Sequence, residues 1–212
     1  MKPWYKVILL ILVFYVVGII ASFTPLKEMT FKLTPIILVM TLSAVLWSLN
    51  NRLITLFSLI VGVYGYLWEV LGVYSGFPFG EYSYGEGLGI SLFNVPLILI
   101  VNWSLMSVLC HYSFVKINSR YLRILLASLA MVIVDFLIEP VAINFDWWSW
   151  QSVNVPWTNY LGWFGISISV MSFYELIGHS INSKNRVKLV SNGYLAIQVA
   201  FFLLVNLSLW VQ

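Results

Sequence analysis

The sequence predicts an all-α protein, a polytopic membrane helix bundle of about seven transmembrane helices that forms a single domain over residues 1–212. Two observations predict this fold. The chain is 61% hydrophobic and only 9% charged, whereas a soluble domain carries about 25% charged residues. Apolar segments also recur with lengths close to the roughly 20 residues that a helix needs to cross a bilayer. A soluble domain is therefore excluded.

Seven apolar segments are candidate spans, and the second is the shortest. They cover residues 4–22, 33–49, 53–74, 92–114, 121–141, 160–180 and 192–211. Of the eleven Lys and Arg residues, nine fall on the same side of the bundle as the N-terminus, and only Lys27 and Lys32 fall on the other. Because cytoplasmic loops are enriched in basic residues, this predicts a cytoplasmic N-terminus and an outer C-terminus in a multi-pass protein of the cytoplasmic membrane.

Two connections on the predicted outer side are rich in glycine and aromatic residues. Residues 75–91 combine five glycines with Pro78, two phenylalanines and two tyrosines, and residues 144–157 contain four tryptophans. Aromatic rings are common at the membrane interface. Their density here, together with glycines that permit tight backbone paths, predicts loops that fold back as a cap over the end of the bundle.

Acidic residues within the predicted spans are the candidates for chemistry, because a carboxylate at that depth is costly. Asp135 and Glu139 are four residues apart and face the same side of one helix, and Pro140 is expected to kink or end that helix. Glu69 lies in the outer half of the third span, at a similar depth. Acids held close in a low dielectric share protons, which leaves a neutral carboxyl able to act as an acid. The alternative is that these acids only fix helix packing.

Other catalytic classes find little support in the sequence. Glu175 and His179 are also four apart, but a structural contact with the nearby basic loop is favoured over a metal site, and no metal is predicted. No nucleophile-elbow, phosphate-binding or dinucleotide-binding motif is present. The net charge of +3 comes from loop residues, which indicates membrane orientation and not nucleic-acid binding.

Several sequence blocks occur in an order typical of one family. They are Glu69, Gly-Phe-Pro-Phe-Gly-Glu-Tyr-Ser-Tyr (76–84), Asn94-Val-Pro, Asp135-Phe-Leu-Ile-Glu-Pro-Val-Ala and Pro156-Trp-Thr-Asn-Tyr-Leu-Gly-Trp (156–163). Together they resemble the CruF-type carotenoid 1,2-hydratases, membrane proteins of carotenoid biosynthesis. The resemblance covers about residues 60–165.

The resemblance implies a cofactor-independent hydro-lyase that adds water to the terminal 1,2 double bond of an acyclic, lycopene- or γ-carotene-like end group. Such a reaction needs a proton at C2, stabilisation of a tertiary cation at C1, and a water. We predict Asp135 as the proton donor and Glu69 as the group that orients and activates the water, while Glu139 adjusts the acidity of both. Donor and base can be exchanged without contradicting the sequence. The candidate substrate-binding residues are Tyr82, Tyr84, Asn94, Trp163, Trp68 and Asn159.

Three rival functions stay open at this stage. A carotenoid end-group cyclase would use the same protonation and then close a ring in place of water attack. A proton-coupled transporter would use the acids to bind protons, although no internal repeat is present. A non-catalytic scaffold would only organise other pigment enzymes. The expected partners are a carotenoid substrate, the lipid bilayer and other carotenoid-biosynthesis enzymes.

Overall fold

A computed structural model of the chain describes residues 3–177 and 184–211 and is helical over most of this length. The helices are α1 (Pro3–Ser22), α2 (Lys27–Phe31), α3 (Thr34–Leu49), α4 (Arg52–Ser75), α5 (Ile98–Ser113), α6 (Arg120–Asn144), α7 (Trp157–Ile177) and α8 (Lys184–Val211). Apart from the short α2, each helix corresponds to one of the seven predicted spans. The helical class is therefore confirmed.

Three helices of the described chain are long and apolar enough to cross a membrane, namely Arg52–Ser75, Arg120–Asn144 and Val187–Val211. Shorter apolar helices cover Ile8–Ser22, Thr34–Leu49 and Ile98–Ser113. These helices indicate a membrane protein. The number of seven spans and their orientation stay predictions.

Helix α5 lies at the centre of the bundle and is buried along nearly its whole length. It packs against α4, α8, α3, α6 and α7. Close approach to α4 depends on small residues, because a Cβ on Gly65 would lie 2.3 Å from the Trp103 ring, and one on Gly62 would lie 2.3 Å from the Ile100 carbonyl oxygen. Glycine at both positions therefore brings α4 and α5 into contact, and this contact orients Trp103.

The start of the fourth predicted span is wrong. Residues 92–97 are not helical, because Ser91–Leu92 (β2) and Val95–Pro96 (β3) pair antiparallel around a tight turn. Both turn residues, Phe93 and Asn94, have left-handed backbone angles, with φ of 54° and 59°. Such angles at two successive residues are the geometry of a two-residue hairpin turn and cannot be part of an α-helix.

Helix α6 continues four residues past Pro140 to Asn144, so of the two predicted effects of Pro140, a kink or an end of the helix, the end is wrong. Proline cannot donate to the carbonyl one turn before it. In the same turn, the Asn206 side chain of α8 donates to the Leu137 carbonyl oxygen at 2.8 Å. Helix α8 thus supplies a side-chain donor close to the interruption at Pro140. Helix α6 therefore does not end next to Glu139.

The two aromatic loops pair with each other, as a cap requires. Tyr82–Tyr84 (β1) runs antiparallel to Trp148–Trp150 (β4), with Tyr82 opposite Trp150 and Tyr84 opposite Trp148. Side chains alternate between the faces of a strand. The four rings therefore share one face, directed at α4 and α6, and Ser83 and Ser149 share the other.

Candidate active site

Three carboxylates come together beneath the paired loops. Glu69 lies on α4, and Asp135 and Glu139 lie one turn apart on α6. Each residue is only 3% exposed, and all three line the same cavity. Helical periodicity places the two α6 acids on one face, and the contacts of α4 and α6 with the strand pair bring the third acid to them.

Glu69 accepts three hydrogen bonds from neutral donors. The Tyr82 and Tyr84 hydroxyls donate to Oε2 at 2.7 and 2.8 Å, and the Trp103 indole donates to Oε1 at 3.0 Å. Burial, followed by the negative charge of Glu69, raises the pKa of both tyrosines well above the usual value. Both phenols therefore stay protonated and remain donors.

Glu139 is also surrounded by donors. The Trp148 and Trp150 indoles donate to Oε2 at 2.9 and 3.0 Å, and the Asn159 amide donates to Oε1 at 3.0 Å. An indole nitrogen can only donate. Hydrogen bonds of this kind stabilise the ionised form of a carboxyl group.

Asp135 has a different environment from its two neighbours. It accepts one hydrogen bond, from Asn159 to Oδ2 at 3.0 Å. Within residues 3–177 and 184–211, no side chain or backbone group donates to its Oδ1. Asn159 uses the two hydrogens of one amide nitrogen to hold Asp135 and Glu139 side by side, and Asp135 keeps one oxygen available to the cavity.

Within the part of the chain that the structure describes, no ion pair is found at any of these three carboxylates, whereas Glu175 pairs with Arg123 and lies close to His111. Nor do the described residues include a group of three or more His, Cys, Asp and Glu side chains that could hold a metal. Several kcal/mol oppose the burial of each uncompensated charge. The arrangement is therefore one of closely spaced acids held by neutral donors.

The cavity between the carboxylates is small and partly aromatic. Its volume of about 30 Å³ is room for one or two water molecules. The Trp163 ring forms part of the wall and stacks on Trp103, with ring centroids 4.2 Å apart and planes 6° apart. Further lining comes from Phe79, Leu99, Asn102 and Ile138.

Seven of the nine residues predicted for the site line this cavity: Asp135, Glu69, Glu139, Tyr82, Tyr84, Trp163 and Asn159. Asn94 does not, because it occupies the exposed hairpin turn between β2 and β3. Trp68 does not either. It lies in a separate groove between α4 and α7, since adjacent residues of a helix point about 100° apart.

Four donor-bearing residues, which contact the acids or line their cavity, are absent from the nine predicted site residues. Trp103 and Asn102 lie in an ordinary apolar helix and carry no motif. Trp148 and Trp150 belong to the aromatic loop, and their role follows from the strand register. The repeated pattern of aromatic, serine, aromatic at 82–84 and 148–150 is a signal that could have paired the two loops.

Glu175 lies away from the cluster and forms a two-point ion pair with Arg123. The guanidinium Nε donates to Oε1 at 2.8 Å and Nη2 donates to Oε2. The His111 Nε2 lies 4.0 Å from Oε1. Glu175 of α7 is therefore held by a basic residue in the first turn of α6. His179, the other half of the predicted pair, lies outside the described residues.

The fold and the site define a helical protein that has helices long and apolar enough to cross a membrane, and a buried carboxylate cluster with no cation among the described residues. Residues 28–212 match the family described as carotenoid biosynthesis protein. The chain belongs to this family, and the resemblance inferred from the motifs is confirmed.

A relative with a curated name is the bisanhydrobacterioruberin hydratase of Haloarcula japonica. The two chains are 32% identical over 123 residues, which is 52% of this chain and 41% of that protein. The match thus spans about two fifths of the relative's length. No solved structure matches this chain.

Proposed function

We propose that this protein is a carotenoid hydratase that adds water to the terminal double bond of an acyclic carotenoid end group. The observation that carries the proposal is the cluster of Glu69, Asp135 and Glu139, in which only Asp135 has an oxygen that no described group donates to. Membership of a carotenoid biosynthesis family and similarity to a protein named as a hydratase support the substrate class and the reaction.

Asp135 is the proton donor in this proposal. Glu69 and Glu139 each accept three hydrogen bonds, an arrangement that favours the charged form of a carboxyl group, whereas Asp135 accepts one. The proton shared by the cluster therefore resides on Asp135. Its transfer to C2 breaks the π bond, forms the C2–H bond and leaves a tertiary cation at C1. General acid catalysis of this kind contributes about 10²–10⁴-fold.

The resulting cation lies among carboxylates and aromatic faces. The Asp135 carboxylate is negative once its proton has left, and the Trp163 ring at the cavity wall presents a face to positive charge. Both groups are in place before the reaction and do not need to reorganise. Neither oxidation nor reduction occurs, so the reaction requires no redox cofactor.

Water attack completes the addition. A lone pair of the water oxygen forms the C1–O bond, and one water proton passes to Glu69, from which the cluster returns it to Asp135. The Asn102 side chain lines the cavity and makes no hydrogen bond to another residue of the described chain. Asn102 is therefore available to hold the attacking water beside the cation.

The membrane arrangement in this proposal has seven spans, a cytoplasmic N-terminus and an outer C-terminus. The distribution of nine basic residues against two supports it. The carboxylate cavity then lies near the outer surface of the cytoplasmic membrane, beneath the paired loops. Other carotenoid-biosynthesis enzymes are the proposed protein partners, because substrate and product both stay in the bilayer.

Co-expression with an acyclic carotenoid pathway in a pigment-producing bacterium tests the function. Mass analysis should show products heavier than the substrate by one or two water molecules. An isomer of unchanged mass would identify a cyclase instead, and unchanged pigments from several acyclic substrates would refute the hydratase.

Replacement of Asn102 tests the water site separately. In Asn102→Leu, protonation is retained but the attacking water loses its amide partner. Hydrated product should therefore fall by about tenfold, the equivalent of one hydrogen bond to a reacting group. An Asn102→Leu protein with the hydration rate of the wild type would exclude Asn102 from this role.

A further inference from the structure

A second and larger cavity lies on the outer side of the wall that encloses the carboxylates. It is an open groove of about 530 Å³ between α4 and α7, here named the α4–α7 groove. Its walls are formed mainly by Tyr64, Trp68, Pro78, Gly162, Gly165 and Ile166. Leu161 and Phe77 at its margin are 68% and 64% exposed, so the groove opens onto the side of the bundle.

The groove and the carboxylate cavity share a wall that is one residue thick. Four consecutive pairs contribute one residue to the groove and the next to the cavity: Trp68 and Glu69, Pro78 and Phe79, Thr158 and Asn159, Gly162 and Trp163. A Cβ on Gly162 would lie 2.9 Å from Pro78 Cγ and 3.0 Å from Phe79 Cδ1. Because Gly162 has no side chain, the loop that contains Pro78 and Phe79 lies directly on α7.

The chemistry of the groove fits a hydrocarbon. Its lining is mostly apolar and aromatic, and its hydroxyl groups already have hydrogen-bond partners. The Tyr64 hydroxyl lies 3.1 Å from the Ser169 hydroxyl, and Thr158 Oγ1 donates to the Phe79 carbonyl oxygen at 2.9 Å. An occupant therefore gains apolar contact and needs no hydrogen-bonding groups of its own.

We propose that the α4–α7 groove binds the isoprenoid chain of the substrate while its terminal double bond reaches the carboxylates. This inference rests on the proposed function for the identity of the chain. The carboxylate cavity, at about 30 Å³, accommodates only the end of such a molecule. The remaining chain must lie elsewhere, and the α4–α7 groove adjoins the cavity along four chain segments and faces the bilayer from which the substrate comes.

Gly165 provides a direct test. A Cβ added there meets no heavy atom within 4 Å, so a larger side chain enters the groove and not the packed core. Gly193 on α8 is also helical and also has open space around an added Cβ, and it lies outside the groove. Gly193→Leu is therefore the matched control for Gly165→Leu. Gly165→Ala fills the groove to an intermediate degree.

The measurement is the ratio of pigment to protein after purification in mild detergent from cells that make an acyclic carotenoid. Size-exclusion chromatography reports folding of each variant. Because Leu displaces apolar contact surface of the bound chain, we expect at least about tenfold less pigment in Gly165→Leu. Gly193→Leu should match the wild type, and Gly165→Ala should fall between them.

Equal pigment in Gly165→Leu and Gly193→Leu would overturn the inference, because the pigment would then bind without using the groove. Absence of pigment from the wild type would overturn it as well. Asp135→Asn should retain pigment without forming hydrated product, because it changes the acid and leaves the groove intact. Pigment that depends on Gly165, in a wild type that forms no hydrated product, would support the groove and refute the hydratase.

Discussion

Two regions of this protein bury acidic residues in opposite ways. Glu175 is held by Arg123, whose guanidinium forms two hydrogen bonds to it and also donates to the Ile117 and Asn118 carbonyl oxygens. Asp135 lies on α6 like Arg123, twelve residues after it and about 18 Å from it at the rise of an α-helix. It belongs to a cluster of three acids with no described cation.

The difference separates a structural acid from acids suited to proton transfer. An arginine keeps its proton in any protein, so the negative charge of Glu175 is permanently balanced and its position is fixed. The cluster is held by tyrosine, tryptophan and asparagine donors, none of which supplies a formal positive charge. Its total charge can therefore change when a proton leaves or arrives, and that property is what alkene protonation requires.

The largest effect on hydrated product is expected for Asp135→Asn, and Glu175→Gln is its comparison. Asparagine keeps the shape of Asp135 but has no acidic proton, so hydrated product should fall by about 10²–10⁴-fold. Glu175→Gln should retain at least about half of the wild-type rate, because Glu175 lies a long way from the cavity. Product is measured by mass analysis per amount of folded protein. Equal losses in both variants would remove the distinction between the two regions.

Arg123→Met probes the structural region through stability. It removes the guanidinium that binds the mostly buried Glu175 carboxylate, which should lower the free energy of unfolding by about 3 kcal/mol. Thermal unfolding in detergent provides the measurement. The double variant Arg123→Met/Glu175→Leu removes both charges and should recover most of this loss. A double variant as unstable as the single one would show that packing, and not charge pairing, holds this end of the bundle.

Asn159→Leu should affect the cluster and spare the ion pair. It removes the amide that holds Asp135 and Glu139 at 3.0 Å each. Two hydrogen bonds to acidic groups are lost, so we expect about 10²-fold less hydrated product. Asn192→Leu, an exposed change on α8, is the matched control. Normal activity of Asn159→Leu would mean that the two carboxyls need no bridge.

The sequence predicts the helices and the carboxylate cluster well because both depend on simple periodicity. Apolar length marks most helices to within a few residues, although α5 begins six residues later than its predicted span and α8 eight residues earlier. The spacing of Asp135 and Glu139 places them on one face. Glu69 lies at a depth that follows from the order of the spans. None of these predictions depends on the conformation of the loops.

The wrong predictions concern residues whose position depends on a turn or on the direction of a side chain. The predicted span from residue 92 places Asn94 in a helix, but its left-handed backbone makes a hairpin turn. Trp68 is next to Glu69 in the sequence, yet it faces the α4–α7 groove. Trp148 and Trp150 reach Glu139 only because β4 pairs with β1 in one register. Strand pairing between distant loops is a tertiary property, and composition alone does not determine it.

The smallest predicted effect concerns the strand pair that closes the cavity. Trp150→Phe keeps an aromatic ring near Tyr82, whose ring centroid lies 5.1 Å from that of Trp150. It removes the indole donor to Glu139, which still has Trp148 and Asn159. The loss of one of three donors should reduce hydrated product by about fivefold, the equivalent of roughly 1 kcal/mol.

Trp157→Phe is the matched control, because Trp157 is 82% exposed and has no contact with the carboxylates. It should leave the rate unchanged. If Trp150→Phe also leaves the rate unchanged, the strand pair acts as a cover whose rings exclude water from the cavity. If only Trp150→Phe slows the reaction, the indole donors of the paired loops stabilise the negative charge of Glu139. Because Asn159 joins Glu139 to Asp135, these donors then also influence the acidity of Asp135.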